Sequence, residues 1–296
     1  MVPTIARKTA RADLHYYGAI GFEKSYRTRQ FRKGENILAS IAEANFDRGI
    51  DVCAITSCHP DIVKGSVRDR FGYLFREAKS LSRDYDIEKM GDAVLSVTRG
   101  DKVVHIVNSQ AVITKEGERR VDHLVIGAND VLNNRPLSEI IRYCRDKGLV
   151  QMAPHPFYYL GAGEETLLKY LNEYDAIVEH NSQFIVPSFL KSIPVIGGKT
   201  RDLNKKAKNF ALKHNKPAIA VSDAHTPRTK GGYIELEEMP DLTDSGKFLG
   251  SLREMLRAEA FECHETYENP VIWAGWTWKF FWQGYVNKNR AEKEVD

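Results

Sequence analysis

The sequence predicts an α/β protein built on a barrel of parallel strands, and three observations predict it. Short apolar runs alternate with amphipathic helical stretches along most of the chain. Four of those runs stop at a histidine or an acid, and a fifth segment does so near the N-terminus. The 296 residues suffice for one large barrel with a small appendage. In such a barrel the C-terminal strand ends converge on one face, where active sites sit.

In chain order, Ala12-Asp13-Leu14 leads to His15, and the run from Ile50 to Thr56 leads to His59. The run from Leu149 to Pro154 leads to His155, Ala176-Ile177-Val178 leads to Glu179, and Ala218 to Ser222 leads to Asp223 and His225. Between them, Glu35 to Arg48 has helical spacing of Ile37, Leu38, Ile41, Ala42 and Ala44, with Gly49 as its stop. Residues 64–82 read as a more charged helix. Leu137 to Lys147, Glu164 to Leu171 and Arg201 to His214 supply three further helices. Repeated strand-then-helix order argues for parallel units rather than a sandwich.

One stretch breaks the rhythm. From Ala93 to Ile126, alternating residues around Val94–Val97, Val103–Val107 and Val112-Ile113 predict short antiparallel strands, with turns at Gly100-Asp101 and Glu116-Gly117-Glu118. Residues 1–232 are expected to form the barrel domain. Residues 233–296 read as an extension packed on the barrel or on a partner, with a helix near Gly246 to Ala258.

Composition excludes several classes. Hydrophobic content of 42% and charged content of 28% are ordinary for a globular domain, and a net charge of +3 is too small to argue for nucleic acid. No apolar stretch approaches the ~20 residues that span a bilayer. Met1 to Lys8 lacks the apolar core of a secretory signal. Cys53, Cys58, Cys144 and Cys263 show no paired spacing, so a reduced, cytoplasmic setting is expected.

A single histidine at a strand end is more often a hydrogen-bonded structural residue. Several imidazoles and carboxylates at strand ends of one barrel form a donor set that zinc, manganese or iron selects. Ala12-Asp13-Leu14-His15, Ala54-Ile55-Thr56 before His59, Ala153-Pro154-His155-Pro156 and Ser222-Asp223-Ala224-His225 resemble the motifs of the PHP (polymerase and histidinol phosphatase) superfamily. Glu179-His180-Asn181 falls where that family often has an acid and an asparagine. The resemblance spans about residues 12–227. It implies a distorted (β/α)7 TIM-like barrel that binds up to three divalent metals and hydrolyses phosphate esters.

Departures accompany the match. Tyr17 stands where the family has a second histidine after His15, and Ser96 is the nearest match to a bridging glutamate. Thr56-Ser57-Cys58-His59 has one residue more than the family's Thr-Asp-His. Phenol and hydroxyl are poorer ligands than imidazole and carboxylate at neutral pH. One or two divalent metal ions are therefore expected, with His15, His59, His155, Asp223 and His225 as ligands. Glu23 and His105 lie near positions that sometimes hold ligands, and Cys58 reads as an ordinary thiol. Such ions would lower the pKa of a bound water to about 7, and a paired ion ~3.5–4 Å away would steady attacking and leaving oxygens.

Other features admit two readings. Ser25 to Lys33 is either a phosphate clamp led by Arg27 and Arg29 or a solvated loop, and Arg68 and Arg70 follow the second motif. All four tryptophans fall in Trp273 to Trp282, a run too short to cross a membrane that reads as packing on the body or on a second copy, ahead of an interfacial membrane anchor. Gly197-Gly198-Lys199-Thr200 lacks the first glycine of a phosphate loop. The expectation is a metal-dependent phosphoesterase acting on a phosphorylated small molecule or on nucleic acid. The alternative is a barrel of the same shape that binds or regulates without turnover.

Overall fold

The computed structural model describes residues 9–17, 36–57, 74, 78–79, 81, 83–130, 132, 135–186, 201–226, 229–275 and 277–278. His59, Arg27, Arg29, Glu23, Cys58, Arg68, Arg70, Gly197–Thr200 and most of the 64–82 stretch lie outside these residues. Trp276 and Trp282 do as well.

The strands are β1 (Ala10–Tyr16), β2 (Val52–Ser57), β3 (Asp86–Met90), β4 (Val94–Arg99), β5 (Lys102–Glu116), β6 (Arg119–Ile126), β7 (Val150–Ala153), β8 (Ala176–Asn181), β9 (Ala218–Val221), β10 (Tyr233–Leu236) and β11 (Phe261–His264). The helices are α1 (Ile37–Arg48), α2 (Leu137–Lys147), α3 (Gly163–Lys169), α4 (Asp202–Lys213) and α5 (Ser245–Arg257). One sheet runs in the order β11-β10-β1-β2-β5-β6-β7-β8-β9. Tyr16 bridges Ala224 in parallel, and the Tyr17 amide donates to the Ala224 carbonyl at 2.9 Å, which brings the end of β1 against the segment that follows β9.

Strands β1, β2 and β5 are mutually parallel, as are β7, β8 and β9. Strand β6 runs antiparallel to both neighbours. The cause is local: Gly117, at φ 57°, turns the chain directly from β5 into β6, and a parallel return needs a crossover of a dozen residues or more. The sequence reads 103–107 and 112–113 as separate short strands, whereas the structure makes them one strand. β4 covers one edge of β5 over 102–107, β6 takes over that edge at 109–116, and β2 covers the other edge over 105–110. Continuous pairing keeps the backbone extended where local propensity is weak.

Helix α1 begins as the pattern requires. The Asn36 side chain accepts from the Ala39 amide, and Gly49 closes the helix at φ 65°, a left-handed conformation that glycine adopts without strain. Its apolar stripe packs Leu38 and Ile41 with Cys53, Ile55 and Ile106 on the outside of the barrel. Helices α2, α3 and α4 cover Val121, Ala153 and Ile177 in the same way. The interior cluster joins Leu14, Val52, Ile126, Val150 and Val178 to Phe248, Leu249 and Leu252 of α5. Leu249 sits against Gly127, just past the end of the reversed strand β6, so α5 plugs the end of the barrel opposite the C-terminal ends of β1 and β2. Strand β10 pairs with β1, and β11 with β10, so residues 233–264 extend the same sheet.

Trp273 is buried beside Ile185 and Val186, while Val271 is 80% and Trp278 69% exposed. Among the described residues, no helix is long and apolar enough to cross a membrane.

A buried ion pair ties the first strand to the first helix. Arg48 donates to Asp13 at 2.8 Å, with both side chains almost fully enclosed. Truncating one partner of such a pair leaves a buried charge uncompensated, at a cost of about 3–5 kcal/mol. Arg48→Met is therefore expected to lower unfolding stability in urea by that amount. A loss below about 1 kcal/mol would show that the pair does not hold this end of the barrel.

Candidate metal centre

His15 reaches the barrel mouth because β1 carries an extra residue. Asp13 pairs with Cys53 but Tyr16 pairs with Ile55, so three steps on β1 match two on β2. Asp13 and Tyr16 both face α1, through Arg48 and through the outer apolar cluster. Regular alternation would place His15 on the Asp13 face; the bulge re-aims it inward. Tyr17 follows beside it, with ring centroids 5.1 Å apart.

His155 and Asp223 carry positive φ angles of 27° and 49°. Non-glycine residues in this region cost about 1–3 kcal/mol unless their surroundings hold them there, and they cluster at functional sites. Around Asp223 the holding bonds are specific. The Ser222 amide donates to Asp13 at 3.2 Å, the Ala224 amide donates to the Ser222 hydroxyl at 3.1 Å, and Asn181 donates to Asp223 Oδ2 at 2.8 Å. Around His155 the turn is closed by Tyr158 donating to the His155 carbonyl at 2.9 Å. Gly161 is required there: a Cβ would lie 2.4 Å from the carbonyl oxygens of His155 and Pro156.

These elements bring four of the expected ligands together. His15 Nε2 lies 3.6 Å from Asp223 Oδ1, and the His15 and His155 ring centroids are 6.0 Å apart. His225 Nδ1 lies 4.0 Å from the same Asp223 oxygen and donates to the Asp223 carbonyl at 2.6 Å. Tyr17 packs against His225 at 4.9 Å between centroids. A residue the sequence reading missed completes the group: Asp122 of β6, whose Oδ2 is 3.8 Å from His155 Nε2. Within the apolar run Val121 to Ile126 it reads as a strand polar residue. Only the reversal of β6 carries the early part of that strand, and so Asp122, to the mouth.

The electrostatics fit cation ligation. Burial lowers the His15 pKa, against the pull of Asp223 and Asp13. Burial raises the Asp122 carboxyl to about 7, with Arg120 opposing and Asp223 adding to the rise. Among the described residues, neither ring nitrogen of the fully buried His15 has a hydrogen-bond partner, nor does Asp122 Oδ1. A buried polar atom left so costs about 1–3 kcal/mol, which a ligand would relieve. No three His, Cys, Asp or Glu side chains among the described residues are drawn into a ready coordination shell. The gaps of 3.6–3.8 Å between His15 and Asp223 and between His155 and Asp122 are nonetheless ones that a cation ~2.0–2.2 Å from each donor spans.

Other expected positions fall elsewhere. Glu179 is the extra residue of a bulge in β8, where Val178 pairs with Ile219 and His180 with Ala220. Its carboxylate turns outward to Lys208 of α4 at 3.8 Å, while Asn181 turns inward to Asp223. His105 pairs with Val52, at the start of β2, and shares a 2.8 Å hydrogen bond with Ser96. Both therefore stand near the opposite end of β2 from the His15 group, and Ser96 is not in a bridging position.

Comparison with known proteins follows the same lines. Residues 201–254 match the model of the PHP-associated family. No curated protein matches the sequence. The fold is similar to a two-domain protein containing a predicted PHP-like metal-dependent phosphoesterase from Bacteroides vulgatus ATCC 8482, with a TM-score of 0.53 and 14% identity. That match covers 88% of this chain and 66% of the other, so this chain spans slightly less than two thirds of it. The fold is also similar to PsfC from Pseudomonas syringae PB-5123, with a TM-score of 0.58 and 13% identity over 92% of this chain and 99% of that one. The chain thus shares its fold with these two structures, and its residues 201–254 match the PHP-associated family model.

Proposed function

We propose that the chain is a metal-dependent hydrolase of phosphate esters. His15, His155, Asp223 and His225 would hold one or two divalent cations (zinc, manganese or iron), with Asp122 as an added carboxylate. His59 is proposed as a further ligand, and Arg27 and Arg29 as contacts to the substrate's anionic group. The observation that carries the reading is the His15 imidazole, fully buried with no described hydrogen-bond partner and aimed at Asp223 from 3.6 Å. The PHP-like fold, shared with a protein described as containing a predicted PHP-like metal-dependent phosphoesterase, supports it.

A bound cation would supply Lewis-acid polarisation of a phosphoryl oxygen and a lowered pKa for water. The chain's own residues prepare the place. Burial keeps His15 neutral, so that its lone pair is available at neutral pH. The bond from His225 Nδ1 to the Asp223 carbonyl fixes the tautomer that carries the lone pair on Nε2. Asn181 orients the Asp223 carboxylate. Tyr158, 5.5 Å from the His155 ring between centroids, has its phenol pKa raised by burial and by nearby groups including Tyr159, Asp223 and Asp122. It stays protonated and able to donate to a substrate oxygen. Tyr17 beside His15 and His225 favours a second reading, a non-catalytic binding protein, because a phenol there limits the number of cations held.

Elemental analysis after loading and desalting is expected to find one or two zinc, manganese or iron ions per chain. Asp223→Ala should lower that content. The same variant should reduce hydrolysis of an aryl phosphate, an aryl phosphodiester or a labelled oligonucleotide by at least 100-fold. Bound metal with no turnover of all three points to the binding protein; absence of bound metal removes the hydrolase reading.

Asp122→Asn separates ligand from bystander. In chelator it should melt at the same or a higher temperature, since it removes a buried carboxylate. In manganese or zinc it should lose most of the stabilisation that the parent gains. Equal stabilisation of both proteins by metal excludes Asp122 from the centre.

Oligomerisation through the tryptophan-rich tail is likewise a proposal. A chain ending at Asn269 should have a lower mass by light scattering than twice that of one chain if the tail joins two copies. An unchanged oligomeric mass relative to the full chain excludes it.

A further inference from the structure

We propose that the β5–β6 hairpin forms a second anion site beside the metal centre, which takes a phosphoryl group other than the one that reacts. A cleft of about 740 Å³ opens there, lined by Ile113, Thr114, Lys115, Arg120, Arg135 and Pro136. Lys115 and Arg120 are directly opposed across the strands, and Ile113 is opposed to Asp122. All four side chains thus share one face of the hairpin, with Arg120 two residues, about 7 Å, from Asp122.

Like charges directly opposed across an antiparallel pair are destabilising, and neighbouring acids would ordinarily neutralise them. Here they do not. The nearest cross-strand acid, Glu116, lies on the other face and is held by Lys169 and the Tyr170 hydroxyl. Asp130, near Arg135 in sequence, accepts from the Tyr143 hydroxyl at 2.6 Å. Among the described residues, Lys115, Arg120 and Arg135 form no ion pair within 4 Å. Arg135 instead has its guanidinium carbon 5.7 Å from the centre of the Tyr143 ring. Three cations around one cleft, with the single acid of that face turned inward to His155, make a receptor for a dianion. The distance to Asp122 suits a substrate with two phosphoryl groups, whether a small polyphosphorylated molecule or a nucleic-acid strand with its next phosphate.

That this anion belongs to the hydrolysed substrate rests on the proposed function, but its binding does not. The test is calorimetry of inorganic tripolyphosphate with the full chain in chelator, comparing the parent with Lys115→Ala, Arg135→Ala and Asp223→Ala. Lys115 and Arg135 are outside the metal centre, so their variants should fold and keep turnover of a simple aryl phosphate. The expected result is a loss of affinity of at least 10-fold in each of the two, with Asp223→Ala unchanged. Undiminished binding in Lys115→Ala and Arg135→Ala, or loss only in Asp223→Ala, overturns the site. Competition by an oligonucleotide at least 10-fold tighter than tripolyphosphate assigns it to nucleic acid; no such gain assigns it to a small molecule. If tripolyphosphate binds through the hairpin but no ester is hydrolysed, the anion site stands and the hydrolase reading falls.

Discussion

Asp13 accepts from the Arg48 guanidinium at 2.8 Å and from the Ser222 amide at 3.2 Å, out of contact with solvent. One carboxylate thus ties β1 to α1 and to the turn after β9. The C-terminal part of β1 and the turn after β9 are where the sheet approaches closure, and the Tyr16–Ala224 bridge lies just beyond. Because Asp13 faces the helix, the next inward step has to be gained by the bulge that turns His15 to the mouth.

The candidate centre is therefore paid for by irregular backbone rather than by ideal strands. His15 lies in a bulge, His155 and Asp223 sit at positive φ, and Asn181 follows a second bulge. Each departure costs free energy that packing and hydrogen bonds offset elsewhere. Burial then does the electrostatic part: it lowers the His15 imidazole and raises the Asp122 carboxyl, favouring the uncharged form of each. The Asp223 carboxylate adds to the cost of ionising Asp122, a cost that a cation between the two would relieve.

The hairpin shows the same economy on a larger scale. A tight turn at Gly117 reverses β6, lifts Asp122 to the mouth, and aligns Lys115 with Arg120 on the adjoining face. On the outer face of that hairpin Lys169 pairs with Glu116, whereas among the described residues Lys115 and Arg120 of the cleft face form no ion pair. Charge is thus sorted by face, through the two-residue period of the strands.

Much of this was legible along the chain. Apolar periodicity with caps such as Asn36 and Gly49 marks the helices, because local hydrogen bonds and one buried stripe decide them. The strand-end residues His15, His155, Asp223 and His225 could be picked out because parallel strands deliver their C-terminal ends to one face. What the chain alone could not show was orientation. Glu179 and Asn181 differ by two residues and by strand period should share a face, yet a bulge sends one to Lys208 and the other to Asp223. Ser96 and His105 have suitable chemistry but bond each other at the wrong end of β2. Asp122 is a ligand candidate only because β6 is reversed. Local spacing determined which residues could serve; register, bulges and strand direction, which depend on partners far along the chain, decided which of them meet.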